Sequence, residues 1–249
     1  RVFADFLSSD YDISMNTIVT NMTLMRTVCN WVRKQGVTNN DPFFGYDMPK
    51  ALYGTPYFLT IQERDQVLDA DLTDDAELAE YRDMFVFQCM VGCRHSDLVT
   101  FTPKNIIDGV LEYIPIKTKG KLGDVVRVPL IPKAMAILDG HDHGDDEPIF
   151  PKHYNFKFND AIRRILKRAK VNRVVTVINP KTRLEEKKPI SDVATSHLAR
   201  RTFIGNLYRM VKDPDLVASM SGHAKGSVAF ARYRVIDDDM KKSLVELIQ

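Results

Sequence analysis

Long apolar runs are missing from this chain of 249 residues. Its most hydrophobic stretches, such as Met84-Phe85-Val86-Phe87-Gln88-Cys89-Met90-Val91, fall far short of the roughly 20 residues a membrane helix needs. No basic-then-apolar signal segment opens it either. These absences predict a globular cytoplasmic protein with no membrane partner. Cysteine is scarce. Cys29, Cys89 and Cys93 are an odd number in apolar settings, which argues against a disulfide framework and for reduced core thiols. Cys89 and Cys93 at i, i+4 leave metal chelation as a lesser reading. Internal repeats and low-complexity segments are absent, and the formal net charge is only +2, which by itself advertises no nucleic-acid partner.

What is present is an uneven distribution of charge. Between Glu63 and Asp83 stand nine acids and two bases, whereas between Phe150 and Arg201 stand fourteen bases and four acids. Such asymmetry predicts a basic face of the kind phosphate binding requires, the plainer alternative being a solvated helix face.

The order of elements points to two lobes. Ser14 suits the N-cap of a helix whose Ile18, Met22, Met25, Cys29 and Val32 recur at helical spacing, with Gly36 as its stop. From Val37 to Pro56 the pattern lapses into breakers, including Pro42, Gly45, Pro49, Gly54 and Pro56, and reads as a linker region. Thr60 with Glu63 forms a capping box for the first helix of a second domain, and an apolar helix follows over residues 81–93. Val110–Ile116 and Val125–Leu130 flank a Lys- and Gly-rich turn and predict a β-hairpin with a basic tip. Phe158, Ala161, Ile162, Ile165, Leu166 and Ala169 then mark an amphipathic helix. Val174–Ile178 is a candidate strand, Pro180–Lys188 a charged loop, and the last third a series of short helices holding His197, Ser221, Tyr233 and residues 237–249. The predicted class is mainly α with a small antiparallel sheet.

Several polar residues in this order suit one chemistry. A phosphodiester attacked by an alcohol gains negative charge on its non-bridging oxygens, and two guanidiniums neutralise it through forked hydrogen bonds. Arg94 and Arg200 are the candidates. His197 and Arg200, three residues apart, share one face of a helix. A tyrosine nucleophile, with a phenol that ionises near about 10, needs a nearby base and an electropositive pocket, for which His223 or His197 is available. Departure of the sugar 5′ oxygen needs a proton donor, and a lysine on a basic hairpin can reach it. Neither metal nor cofactor enters this scheme. Taken singly, each residue has an ordinary structural role as well; Arg94, for example, follows a helix whose C-terminal dipole favours a cation.

As an ordered set these residues resemble the tyrosine recombinases, the phage integrase family. Gly92-Cys93-Arg94-His95-Ser96-Asp97-Leu98 is similar to the family's first box, in which the arginine grips the scissile phosphate and the acid, here Asp97, helps order the site. Thr195–Phe203 resembles the second, giving His197 and Arg200 the His-x-x-Arg roles. Met220-Ser221-Gly222-His223 resembles the Leu-Gly-His segment, with serine in place of the commoner leucine, and implies that His223 is a further phosphate-binding residue. Tyr233 matches the nucleophile. Lys117, twenty-three residues after Arg94 and at a predicted strand end, matches the catalytic lysine, with Lys119 as the alternative and Lys121 a further competitor.

The resemblance implies a partial helical core-binding domain over residues 1–48, a linker over 49–56 and a catalytic domain over 57–249. The abrupt start at Arg1 carries the expectation of preceding residues. Candidate DNA contacts in the first lobe are Arg26, Arg33 and Lys34. The hairpin and Val126-Arg127-Val128-Pro129-Leu130 are similar to integrases of bacterial mobile elements. Implied partners are double-stranded recombination sites, a homotetramer on DNA and a host DNA-bending protein. The final helix, with Met240, Leu244, Leu247 and Ile248 as its apolar stripe, is expected to dock on a neighbouring protomer. Three other readings stand beside this one: a type IB topoisomerase-like enzyme, a non-catalytic site-specific DNA-binding protein, and a metallonuclease built on His141-Asp142-His143-Gly144-Asp145-Asp146-Glu147.

Overall fold

A computed structural model describes residues 6–7, 13–118, 125–142, 144–152, 155–211, 213–223 and 245. Among these the chain is mainly helical, with a three-stranded antiparallel sheet and a two-stranded ribbon. It divides into two compact units: residues 1–54 with 176–187, and residues 55–175 with 188–249.

In the first unit, Ser14 caps α1 (Met15–Lys34) by accepting from the Thr17 amide at 3.3 Å. Of the predicted apolar face, Ile18 and Met22 are buried, Cys29 and Val32 are half-buried and Met25 is 42% exposed. Val28 and Trp31, beside that face, are 53 and 61% exposed. Gln35 is the C-cap and Gly36 follows it in the left-handed region, at φ 74°. Asn16 holds the backbone of Leu52 by two side-chain hydrogen bonds, of 2.7 and 2.9 Å. The Met15 amide donates to the Pro180 carbonyl at 3.3 Å, and Arg183 donates to the Lys50 carbonyl at 2.9 Å, tying residues 176–187 into this unit.

The second unit opens with α2 (Ile61–Leu68), begun by the predicted Thr60–Glu63 capping box. Its centre is α3 (Ala76–Val91). An unbroken run from Met84 to Val91 is buried, as a helix surrounded by partners requires. Those partners are α2, α5 (Pro132–Asp139), α6 (Asn155–Arg168) and α8 (Ser196–Val211). The intervening α4 (His95–Leu98) is a single turn, as is α7 (Ile190–Val193). The amphipathic pattern of α6 holds as predicted, with Phe158, Ala161, Ile162, Ile165 and Leu166 buried. Cys89 and Cys93 are buried core thiols, and burial pushes the pKa of both well up, which keeps them protonated.

The hairpin differs from its prediction in extent. Strands β1 (Ile106–Ile107), β2 (Val110–Tyr113) and β3 (Val126–Pro129) pair in that order, Leu111 opposite Val128 and Tyr113 opposite Val126. The strand predicted to reach Ile116 stops at Tyr113, and Ile116–Thr118 forms one turn of 3-10 helix after Pro115. Proline lacks the amide that would extend the ladder. The hairpin tip, residues 119–124, lies outside the described residues. A second difference lies in the predicted charged loop, where β5 (Glu185–Pro189) pairs with β4 (Val174–Ile178). Glu185-Glu186-Lys187-Lys188 carries no apolar alternation to announce a strand. Helix α9 (Pro214–Ser221) is capped by the Asp213 carboxylate. The predicted helix around Tyr233 lies outside the described residues, as does the one over 237–249 apart from Val245.

Part of the basic segment meets the acidic one rather than standing clear as a basic face. Arg164 pairs with Asp75 at 2.8 Å, Arg168 with Asp74 at 2.5 Å and Arg173 with Glu63 at 2.9 Å. No helix among the described residues is long and apolar enough to cross a membrane.

Candidate active site

The C-terminal end of α3 delivers Arg94. At Gly92 the chain turns through the left-handed region with φ 69°, and the Gly92 amide donates to the Gln88 carbonyl at 2.9 Å. A Cβ there would lie 2.2 Å from the Phe203 ring, so glycine is required both for the turn and for the approach of α8. Buried Gln88 then donates from Nε2 to the Cys93 carbonyl at 2.9 Å, and Arg94 becomes the N-cap residue of α4. Its Nη1 is buried and has no hydrogen-bond partner among the described residues.

Helix α8 delivers His197 and Arg200 one turn apart. Arg200 is only 4% exposed. Its Nη1 donates to the Gly92 carbonyl at 2.8 Å, and its Nη2 stands 3.0 Å from Nδ1 and 3.3 Å from Nε2 of His223. A guanidinium only donates, so the imidazole must offer a lone pair and is neutral in this arrangement. Desolvation, then the charges of Arg200, Arg94 and Lys117, lower the His223 pKa to about 3. His197 is exposed at the surface, yet the protein around it and the cations of Arg201, Arg200 and Arg94 hold its pKa below the usual imidazole value.

His223 owes its position to the end of α9. Gly222 closes that helix at φ 63°, and a Cβ on it would meet Val126 at 2.9 Å and Pro115 at 3.2 Å. The helix end is thus pressed onto the hairpin. Arg94, His197 and Arg200 line a common cavity of about 290 Å³, together with Gln88, Ser96, Asn155 and Ser196. None of these last four is singled out in the sequence as a binding residue; their signal is tertiary, as in the Ser196 hydroxyl donating to the Asn155 side chain at 3.1 Å. A roomier hollow of about 510 Å³, lined by Tyr81, Phe156, Lys157 and Arg164 among others, contains none of the predicted site residues.

Lys117 lies on the exposed 3-10 turn rather than at a strand end, because the ladder stops short of it. The preceding amide, that of Ile116, donates to the buried carboxylate of Asp97 at 2.9 Å, which ties this turn to the segment that carries Arg94. Tyr233, Lys119 and Lys121 lie outside the described residues. So does His143 of the histidine-acidic run; His141 faces Asp83 at 3.5 Å, and no group of three metal-ligating side chains is found among the described residues.

Chemically the lining of the cavity suits an anion. Two guanidiniums converge, that of Arg94 with a buried nitrogen that has no hydrogen-bond partner among the described residues, beside an uncharged imidazole.

Compared by sequence alone, no curated protein matches the chain. Among solved structures, the Tn1549 transposon integrase (residues 82–397) in complex with circular intermediate DNA is 16% identical, with a TM-score of 0.69 over 98% of this chain and 82% of that one. XerH site-specific recombinase bound to a palindromic difH substrate is 16% identical, at 0.64 over 98% and 71%. A lambda integrase (75–356) dimer bound to a COC′ core site is 16% identical, at 0.58 over 91% and 81%. At such identities the likeness is one of fold. The family model described as the phage integrase family matches residues 57–240, a span that contains every residue of the cavity. By that match, this chain belongs to the phage integrase family, the tyrosine recombinases.

Proposed function

We propose that the chain is a site-specific DNA recombinase that cleaves and rejoins DNA through Tyr233, serving the integration or excision of a mobile element. The observation that carries the reading is the convergence of Arg94, His197 and Arg200 on one cavity, with His223 held on Arg200. Such a site fits a phosphodiester that gains negative charge as it is attacked. Tyr233 Oη attacks phosphorus, the 3′-phosphotyrosyl bond forms, and the bond to the 5′ oxygen breaks. Lys117 supplies the proton to that leaving oxygen; the influence of its charge on His223 is consistent with a place beside the cavity. His197 takes the phenolic proton, for which a lowered pKa keeps it in its basic form near neutral pH. The ester retains the bond energy, so a second 5′ hydroxyl can displace the tyrosine without ATP.

DNA as partner is supported by family membership and by the relatives captured with it. Four protomers exchanging strands through a Holliday junction complete the scheme. In it residues 1–48 are the end of a core-binding domain, 49–56 a linker and 57–249 the catalytic domain. The test is incubation of the protein with nicked candidate-site duplexes in chelator, followed by denaturing electrophoresis. A protease-sensitive protein–DNA adduct that disappears in Tyr233→Phe is expected; site-specific binding without adduct would overturn the catalytic reading.

A further inference from the structure

On the reading of the site given above, we propose that Gln88 is a positioning residue for Arg94, its side-chain amide bracing the peptide that carries this arginine to the phosphate. Gln88 is the one strongly polar side chain in the buried run Met84–Val91 of α3, and it is only 1% exposed. An apolar side chain of similar size would fill that place with no amide to desolvate. What the amide adds is a hydrogen bond.

Its Nε2 donates to the Cys93 carbonyl at 2.9 Å. A carbonyl only accepts, so the amide meets it with its nitrogen and not its oxygen. That carbonyl belongs to the peptide whose nitrogen is Arg94's own. The carbonyl one residue earlier, that of Gly92, is taken by Arg200 Nη1 at 2.8 Å. The one a residue later, that of Arg94, accepts from the Asp97 and Leu98 amides at 3.0 and 2.9 Å. The carbonyls of Gly92, Cys93 and Arg94 are therefore held in succession, and Gln88 supplies the middle bond. The ladder of α3 cannot supply it, because that helix ends where the Gly92 amide donates to the Gln88 carbonyl and the chain turns left-handed.

The guanidinium has reason to need this bracing. Arg94 Nη1 is buried with no hydrogen-bond partner among the described residues, so this nitrogen takes its direction from the backbone rather than from an acceptor. Gln88 Oε1 is likewise buried without such a partner, and both residues line the cavity of about 290 Å³. With its nitrogen on Cys93, the amide has only a partially negative oxygen to spare. That oxygen suits a guanidinium in the same wall and leaves the anion to the arginines.

The test uses the whole chain with Gln88→Met, which keeps the length and loses the donor, and Gln88→Glu, whose carboxylate keeps the shape and has no hydrogen to give. Single-turnover cleavage of a nicked duplex is expected to fall about five- to tenfold in Gln88→Met, the scale of one hydrogen bond, with DNA affinity unchanged. Gln88→Glu should fall further, since it adds a negative charge to the wall of the cavity. In an Arg94→Ala background, Gln88→Met should lower cleavage by less than about twofold, because a residue that acts through Arg94 has nothing left to aim. An equal fall in both backgrounds, or full cleavage by Gln88→Met, overturns the inference. Nitrogen-15 spectra need no DNA. The Gln88 side-chain amide hydrogens, assigned by their loss in Gln88→Met, are expected to be protected from solvent exchange in the parent, and the Arg94 backbone amide signal to shift in that variant. Rapid exchange in the parent, or an unmoved Arg94 signal, overturns it equally. Absence of any adduct from the parent protein would strike the functional reading alone, since the spectra stand without it.

Discussion

Arg94 and Arg200 serve the same anion but are held differently, and substitution should separate them. Arg94 has a buried nitrogen with no partner among the described residues, so Arg94→Ala is expected to cut single-turnover cleavage by at least about 100-fold while leaving thermal stability nearly unchanged. Arg200 also ties the Gly92 carbonyl to α8. Arg200→Ala should therefore cost activity and, in addition, about 1–3 kcal/mol of stability, read from the urea midpoint. The histidines predict a pH response. The His223 pKa lies at about 3 in the fold against about 6.5 in an unfolded chain, so below about pH 6.5 the unfolded state binds a proton that the folded state refuses. Stability should be at its full value above that pH and fall as pH drops toward about 3, with His197 acting in the same direction. Calorimetric melting from pH 7 to pH 4 checks this, and His223→Gln should flatten part of the slope. His197 and Arg200 were legible as neighbours from their three-residue spacing. The 2.8 Å contact of the Ser221 hydroxyl with His223 Nδ1 was not, because a serine for leucine exchange in sequence says nothing of the ring that the hydroxyl will touch.

Elements were legible where local chemistry and periodicity agreed. The Thr60–Glu63 box, the apolar stripe of α6 and the polar-to-apolar rise into α3 each announce themselves within a few residues. Strand β5 did not, since Glu185–Lys188 gains its pairing from β4 and not from its own pattern. Nor could sequence tell that Met25, Val28 and Trp31 of α1 stay exposed, because coverage is a property of neighbours. The junction of α3 with α8 gives the sharpest prediction at this scale. Gly92→Ala combines a left-handed backbone with a Cβ inside the Phe203 ring's contact distance, and should destabilise the fold by about 2–4 kcal/mol in urea unfolding. Because the same turn sets Arg94 and accepts from Arg200, cleavage should fall with it even at temperatures where the variant remains folded.

For the whole molecule, the charge asymmetry visible in sequence is partly spent internally. Arg164, Arg168 and Arg173 meet the acidic segment, and Lys167 meets Asp192 at 2.8 Å. Each such exposed pair is worth only about 0–1 kcal/mol, yet together they withdraw cations from any phosphate-binding surface. DNA affinity should accordingly fall with salt, but with a slope smaller than the fourteen bases of residues 150–201 would give if all were free. Titrations of a candidate-site duplex between about 50 and 200 mM salt measure that slope. The central claim is that a phosphate held by Arg94 and Arg200 is attacked by Tyr233. Its most direct test is to trap the adduct formed on a nicked duplex, digest protein and DNA, and locate the remaining nucleotide by mass spectrometry. A 3′-phosphonucleotide ester on Tyr233, abolished by Arg94→Ala, is the predicted result; an adduct on another residue, or one that persists in Tyr233→Phe, would contradict the account.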